Sequence, residues 1–376
     1  MSATAVAFRR GLVRLASEGD NAALIELAAA CPMEADLSLR IDRAPDFFAL
    51  NRLEGDRWTV AVVDGPHGHP VACVGTAERR AWVHGRPTPT VYAGDLKVHP
   101  DFRDRRIADA LERFVADTAR ATAGDRTPVL LTVLAGNAAM ERRAAGPRGL
   151  PRLHRFATLH SFAIPLLWRR AVDVAGIRVR PAAPHDLEEM ANVWSSIATT
   201  RQFASILDAD GLARWIDSAT GLEIDDYLLA RDQRGRLLGF MGMWDQRSLK
   251  TLRVLRYSPS LAVLRGLMRV AAPFVGAAAP PEIGAPLHYA SALHLCVPVD
   301  RAEVLRALVL AAYDRLRGSD RVFMNVALDA GETITAALAG LLAAPTAIHA
   351  YATMPRGTWD GPALDDRPLH FETALV

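Results

Sequence analysis

The segment Val91–Arg120, VYAGDLKVHPDFRDRRIADALERFVADTAR, reads as a buried strand, a basic turn and a helix in immediate succession. β-Branched and aromatic residues run through Val91–Val98, and Pro100 stops the strand because it has no N–H to give a ladder. The helix begins near Arg105: Ile107, Leu111, Phe114 and Val115 recur at three- and four-residue spacing, Ala119 continues the row, and Gly124 offers a stop. Between strand and helix lies Asp101-Phe102-Arg103-Asp104-Arg105-Arg106-Ile107-Ala108. A helix N-terminus has free N–H groups and the positive end of the helix dipole, so it holds an anion. Arginines 103, 105 and 106 beside it fit a pyrophosphate better than a carboxylate. An arginine-rich solvated turn is the other reading of the same residues.

The order VHPDFRDRRIADAL resembles the acetyl-CoA loop of the GNAT N-acetyltransferases: valine, any residue, proline, then Arg or Gln, two residues, Gly, one residue, and Gly or Ala. Val98 and Pro100 match the lead-in, and Arg103, Ile107 and Ala108 match the loop and its exit. Arg106 stands where the pattern has its first glycine, which lets backbone amides approach the phosphates. The resemblance implies acetyl-CoA as acyl donor, contacted by Leu96, Val98, Arg103, Asp104, Arg105, Arg106, Ile107 and Ala108. It also implies that Asn137, just after the next strand, lies near the pantetheine amides, although an asparagine there is equally a good helix cap. Asp95 falls where family members often carry an acidic residue facing the acceptor, which implies a general base for the acceptor's amine; a salt bridge to a neighbouring arginine is the alternative. Many members place a tyrosine seven residues after that asparagine as general acid. Here Ala144 occupies the position and no tyrosine lies in Gly94–Arg170.

A chain of 376 residues suits two or three domains, and 50% hydrophobic with 23% charged residues is an ordinary globular composition. The net charge of +2 implies no strong attraction to nucleic acid or acidic lipid. Lysine occurs only at Lys97 and Lys250, which reads as the coding bias of a GC-rich bacterial genome. Cys31, Cys73 and Cys296 are far apart and odd in number, so neither a disulfide framework nor a zinc cluster is expected, and the eleven histidines show no metal spacing. No secretory signal is read at Met1–Phe8, which Arg9 and Arg10 follow at once, and the apolar stretch Leu267–Pro280 is too short for a span. The expectation is a cytoplasmic protein without a metal or a membrane span.

In chain order, Val13–Ala16 reads as a strand, Ser17–Asp20 as a cap for a helix over Asn21–Cys31, and Pro45–Asn51 as a second helical piece. Trp58–Val63 and Pro70–Ala77 form a hairpin, Pro128–Leu134 a buried strand, Asn137 onward a short helix, and Ala157–Leu167 a last strand. That order is the GNAT order. Ile177–Arg180 followed by Pro184-His185-Asp186-Leu187 restarts it, with Tyr227–Ala230 and Leu237–Trp244 as hairpin, Tyr289–Val297, Arg301–Leu316 and Arg321–Leu328 matching the central segment, and His349–Met354 and Leu369–Leu375 closing the sheet. The fold expectation is therefore α/β, as two tandem GNAT-like domains at residues 1–170 and 176–376, each a mostly antiparallel sheet flanked by helices.

The second copy lacks the arginine loop and offers Asp300 and Glu303 instead, so it reads as degenerate: a dimerisation surface, a wall of the acceptor pocket or a source of acceptor specificity. It carries an insertion at 246–286, with Arg247, Lys250, Arg253, Arg256, Arg265 and Arg269 among apolar residues, as in a basic amphipathic helix that binds a membrane or anionic partner, or a packed interface helix. The functional expectation is direct transfer of an acetyl or short acyl group from CoA to an amine. The alternative is a non-catalytic acyl-CoA-binding or assembly protein. Transfer from a charged RNA is disfavoured by the mild net charge.

Overall fold

The computed structural model describes residues 13–103, 106–146 and 152–376. The first half runs through β1 (Val13–Leu15), α1 (Asn21–Ala30), β2 (Leu37–Asp42), β3 (Arg57–Asp64), β4 (Pro70–Val83), β5 (Arg86–Val98), α2 (Ile107–Ala123), β6 (Val129–Leu134), α3 (Ala138–Ala145) and β7 (His154–Pro165). The second half begins with β8 (Ile177–Pro181), α4 (Leu187–Ala198), β9 (Ala204–Ser205) and α5 (Ala209–Ser218). It continues with β10 (Tyr227–Asp232), β11 (Leu237–Trp244), β12 (Thr251–Tyr257), α6 (Pro259–Val275), β13 (Pro286–Leu287), β14 (Tyr289–Cys296), α7 (Ala302–Leu316), β15 (Phe323–Asp329) and β16 (Ala344–Thr353).

The repeat read from the sequence extends to side chains. Ahead of α1, the Asp20 carboxylate accepts the Ser17 N–H and both terminal nitrogens of Arg14. Ahead of α4, Asp186 accepts the Ala183 N–H and both terminal nitrogens of Arg180, at the same six-residue separation. Each carboxylate satisfies orphan donors at a helix start and locks the preceding strand to it.

The main sheet has the order β1-β3-β4-β5-β6-β16-β7-β15-β14-β11-β10-β8, with β9 beside β4. The halves exchange their closing strands. β16, from the end of the second half, pairs with β6 of the first, and β7, from the end of the first half, pairs with β15 of the second. β16 and β7 pair with each other, so one continuous sheet spans the chain. A second sheet, β13-β12-β2, joins the insertion to the first half.

Four local expectations change. Pro45–Asn51 is turn, and the helical hydrogen bonding there is a 3-10 turn at Asn51–Leu53. β2 and α5 were not expected; β2 is held by pairing with the distant β12, which local pattern does not encode. Leu369–Leu375 is not a strand. Its backbone is satisfied elsewhere, Leu369 N–H by the Asp329 carboxylate and His370 N–H by the Gln202 carbonyl, so it has no ladder to join. In the insertion only Arg265 and Arg269 lie on the helix; Arg253 and Arg256 belong to β12.

Candidate active site

In both halves the central parallel pair begins together and then parts. β5 pairs with β6 only at Val91 and Tyr92, and β14 with β15 only at Tyr289, Ala290 and Ser291. Beyond Tyr92, the β5 edge facing β6 has lost its ladder partner, so its backbone groups are open to another hydrogen-bonding chain. On its other edge β5 pairs with β4 and carries a bulge opposite Cys73–Gly75, where Asp95 takes a left-handed φ of 51°. The second half has the same bulge opposite Phe240–Gly242, with His294 at φ 44°. Backbone strain at both positions re-aims one side chain per half.

Asp95 lies in a buried ionic cluster. Lys97 Nζ donates to its Oδ1 at 2.5 Å, Arg43 donates to Oδ2 at 3.2 Å, and the Asn51 amide approaches Oδ2 at 3.5 Å. Burial pushes the Asp95 carboxyl up, but the charges of Lys97 and Arg43 outweigh it and hold the group well below the usual carboxylate range. Glu54 is buried in the same cluster; burial, helped by the charge of Asp95, pushes its carboxyl up to about 8. Lys250 is also buried, and burial with the charge of Arg43 brings its ammonium down to about 7. Lys250 Nζ donates to the carbonyls of Ala374 at 3.2 Å and Val376 at 2.5 Å.

Of these residues the sequence pointed only to Asp95. Arg43, Asn51 and Glu54 come from a segment without a motif, and Lys250 from the insertion. One signal was legible in hindsight. The chain has 44 lysines and arginines together, and its two lysines both enter this cluster. A compact ammonium that titrates readily on burial is not interchangeable with a guanidinium fork, so the exception to arginine usage coincides with this buried cluster.

At the end of β5, the first turn of the chain after Val98 is a 3-10 turn over Pro100–Phe102, and α2 then starts at Ile107. Arg103 is exposed and its Nε donates to the Val98 carbonyl at 3.4 Å. Arg106 is the N-cap of α2 in the left-handed region, φ 56°, the conformation that the expected glycine adopts without strain. Its side chain is 82% exposed and pairs with Asp109 of the first helical turn, which Arg143 of α3 also holds. Ile107 is buried and Ala108 partly buried, so their amides rather than their side chains define this corner, while Leu96 and Val98 pack with Ile107 and Leu111 beneath it. Asp104 and Arg105 lie outside the described residues. Asn137 caps α3, its Oδ1 accepting the Met140 N–H at 3.2 Å. Among the described residues, no group of three or more His, Cys, Asp or Glu side chains is placed to hold a metal ion. No helix there is long and apolar enough to cross a membrane.

The corresponding place in the second half is occupied by the chain itself. His294 N–H donates to both oxygens of Glu372 at 3.0 and 3.1 Å, His370 Nε2 lies 2.8 Å from Glu372, and the His294 ring meets the Tyr227 hydroxyl at 2.7 Å. Burial lowers His294 to about 4, leaving the ring neutral. At the end of β14, Arg201 donates to the Val297 carbonyl at 3.0 Å and pairs with buried Glu332 at 2.9 Å. No left-handed residue stands at the start of α7, whose N-cap Arg301 has φ −113° and pairs with Glu303.

The model of the acetyltransferase (GNAT) family matches residues 21–144. No curated protein matches the sequence. Similar solved structures include Saccharomyces cerevisiae N-myristoyltransferase with bound myristoyl-CoA, at 12% identity over 91% of this chain and 82% of that one, with a TM-score of 0.62. A GCN5-related N-acetyltransferase from Sphaerobacter thermophilus is 17% identical over 94% of this chain and 98% of that one, with a TM-score of 0.57. A probable N-acyltransferase of unknown function from Enterococcus faecalis V583 is 9% identical over 91% and 72%, with a TM-score of 0.51. The family match lies in the first half, and the likenesses to solved structures run across both halves and show the GNAT fold laid out twice along the chain.

Proposed function

We propose that this protein is an N-acyltransferase that moves an acetyl or other short acyl group from CoA directly to an amine. The acyl donor is assigned to the first half, residues 1–170, and residues 176–376 serve as scaffold and as part of the acceptor wall. One observation carries this reading: at the end of β5 an opened strand pair, a bulge presenting Asp95 and an arginine-flanked helix N-terminus lie within a few residues of one another. The residues fit the donor. The free β5 edge beyond Tyr92 offers amides and carbonyls to pantetheine, and Arg103, Arg105 and Arg106 with the amides of Ile107 and Ala108 offer a pyrophosphate both charge and donors. Leu96 and Val98, which pack beneath this corner, are assigned to the same contact set together with Asp104 of the loop sequence, and Asn137 is assigned to the pantetheine amides.

The acceptor nitrogen attacks the thioester carbonyl, CoA departs as thiolate, and the amine's proton is lost. Asp95, held ionised, meets the amine and stabilises its positive charge, while Glu54, titrating near 8, is the stronger base of the cluster. With Ala144 at the usual tyrosine position, water protonates the thiolate. Arg106 and the clamping of Asp95 by two cations favour the second reading, a non-catalytic acyl-CoA-binding protein. A screen of amines with acetyl-CoA, read by release of free thiol, separates them. Amine-dependent thiol release that Asp95→Asn abolishes supports the enzyme; saturable CoA binding without release across the screen supports the binding protein.

A further inference from the structure

The insertion contributes more than Lys250. α6 rests chiefly on β12, and its outward face is apolar. Val263, Leu267, Val270 and Phe274, at i, i+4, i+7 and i+11, are 67%, 65%, 71% and 87% exposed. Leu264 lies beside them, and Ile283 beyond the helix is exposed as well. No charged residue interrupts this row, so the ordinary rule for a surface helix, apolar inside and polar outside, is inverted along its length. A contiguous exposed patch of this kind marks an interaction surface.

Charge identifies what it meets. The small net charge of the chain conceals an asymmetry: residues 246–281 contain no Asp or Glu but hold Arg247, Lys250, Arg253, Arg256, Arg265 and Arg269. Carboxylates from elsewhere neutralise Arg247, Arg253 and Arg269. Arg256, exposed on β12, donates to the Ser38 hydroxyl and the Ala35 carbonyl and pairs with no carboxylate among the described residues, whereas Arg265 lies on the opposite side of α6 from the apolar row, over the Tyr257 ring and bonded to the Pro281 carbonyl. A single ridge of about 25 Å by about 10 Å presents about 250 Å², short of the roughly 800 Å² per partner that a stable dimer buries. A deformable surface accepts such a ridge without a matching groove.

We propose that α6 docks this protein on an anionic lipid bilayer, lying in the interface plane with Val263, Leu267, Val270 and Phe274 at the acyl-chain boundary and Arg256, which has no carboxylate partner among the described residues, supplying positive charge toward headgroup phosphates. Apolar burial and attraction to anionic lipid then add. This does not depend on the acyltransferase reading.

Sedimentation of the full chain with vesicles of phosphatidylcholine, alone or mixed with phosphatidylglycerol, tests it. The protein is expected to pellet with the mixed vesicles, less with the neutral ones, and less again in added salt. Leu267→Glu and Phe274→Glu change side chains that touch solvent, so folding is preserved, and each lowers the partition about tenfold or more. Arg256→Gln lowers it about fivefold on mixed vesicles and leaves the neutral ones unaffected. Wild-type protein that stays in the supernatant with both vesicle types, unchanged binding by Phe274→Glu, or a solution dimer that this variant dissolves would each overturn the proposal.

Discussion

Asp95→Asn keeps the size of the side chain, and asparagine tolerates a left-handed φ of 51° about as well as aspartate. What it removes is one negative charge from between Lys97 and Arg43. Arg43 is only 2% exposed, so it does not recover its solvation by turning to water. Removing one partner of a buried pair costs about 3–5 kcal/mol, and the amide oxygen retains part of the hydrogen bonding, so the loss expected is about 3 kcal/mol. At about 2.1 cal/mol/K of unfolding entropy per residue, that lowers Tm by about 4 °C for a chain of this length. The sign of the pH dependence follows from the lowered carboxyl. Its contribution is present above the unfolded value, near 3.8, and is lost as pH falls through the lower folded value. Urea unfolding of wild type and variant at neutral pH and at about pH 3 measures both effects. The gap is expected at neutral pH and should shrink in acid. Equal midpoints at neutral pH, or a gap unchanged in acid, would refute the idea that this ion cluster anchors the bulge.

Other consequences are as direct. Arg103→Ala should weaken acyl-CoA binding by about 1–3 kcal/mol through a lost charge-assisted phosphate contact; calorimetry that finds wild-type affinity removes the phosphate-loop reading. Arg106→Gly should raise stability by about 0.5–1 kcal/mol, because glycine takes the left-handed conformation freely and the lost pair to Asp109 is exposed; a lower urea midpoint counts against it. Glu54 binds its proton more tightly folded than unfolded, so wild-type stability should fall as pH rises from about 4.5 to about 8, and Glu54→Gln should flatten that slope; an unchanged slope assigns it to other groups. Titration of CoA should saturate near one per chain, because Glu372 fills the bulge of the second half and Arg201 is already bound at the end of β14; two equivalent sites would contradict this.

The repeat was legible because its elements are local. Strands such as Leu237–Trp244 and helices such as Ala302–Leu316 carry their pattern in adjacent residues, and both copies of the strand-then-helix opening show it. The loop was legible for the same reason, down to the departure at Arg106, which the fold places in the left-handed region where a glycine was expected. Asn137 was visible as a residue while its engagement was not, and its Oδ1 caps α3.

By itself, then, the sequence determined most of the succession of strands and helices, apart from β2, α5 and the segments at 45–51 and 369–375, together with the duplication, the basic run after β5 and the position of Asp95, all set by neighbours within a few residues. Tertiary structure decided which strands close which half, since the exchange of β7 and β16 depends on pairings between residues far apart in the chain. It decided the company of Asp95 as well. Arg43, Glu54, Lys97 and Lys250 approach from different segments, and the charge state of each depends on burial and on the others, which no local pattern records. The same holds for α6, whose apolar row reads in sequence like any packed helix and is distinguished by its exposure among the described residues.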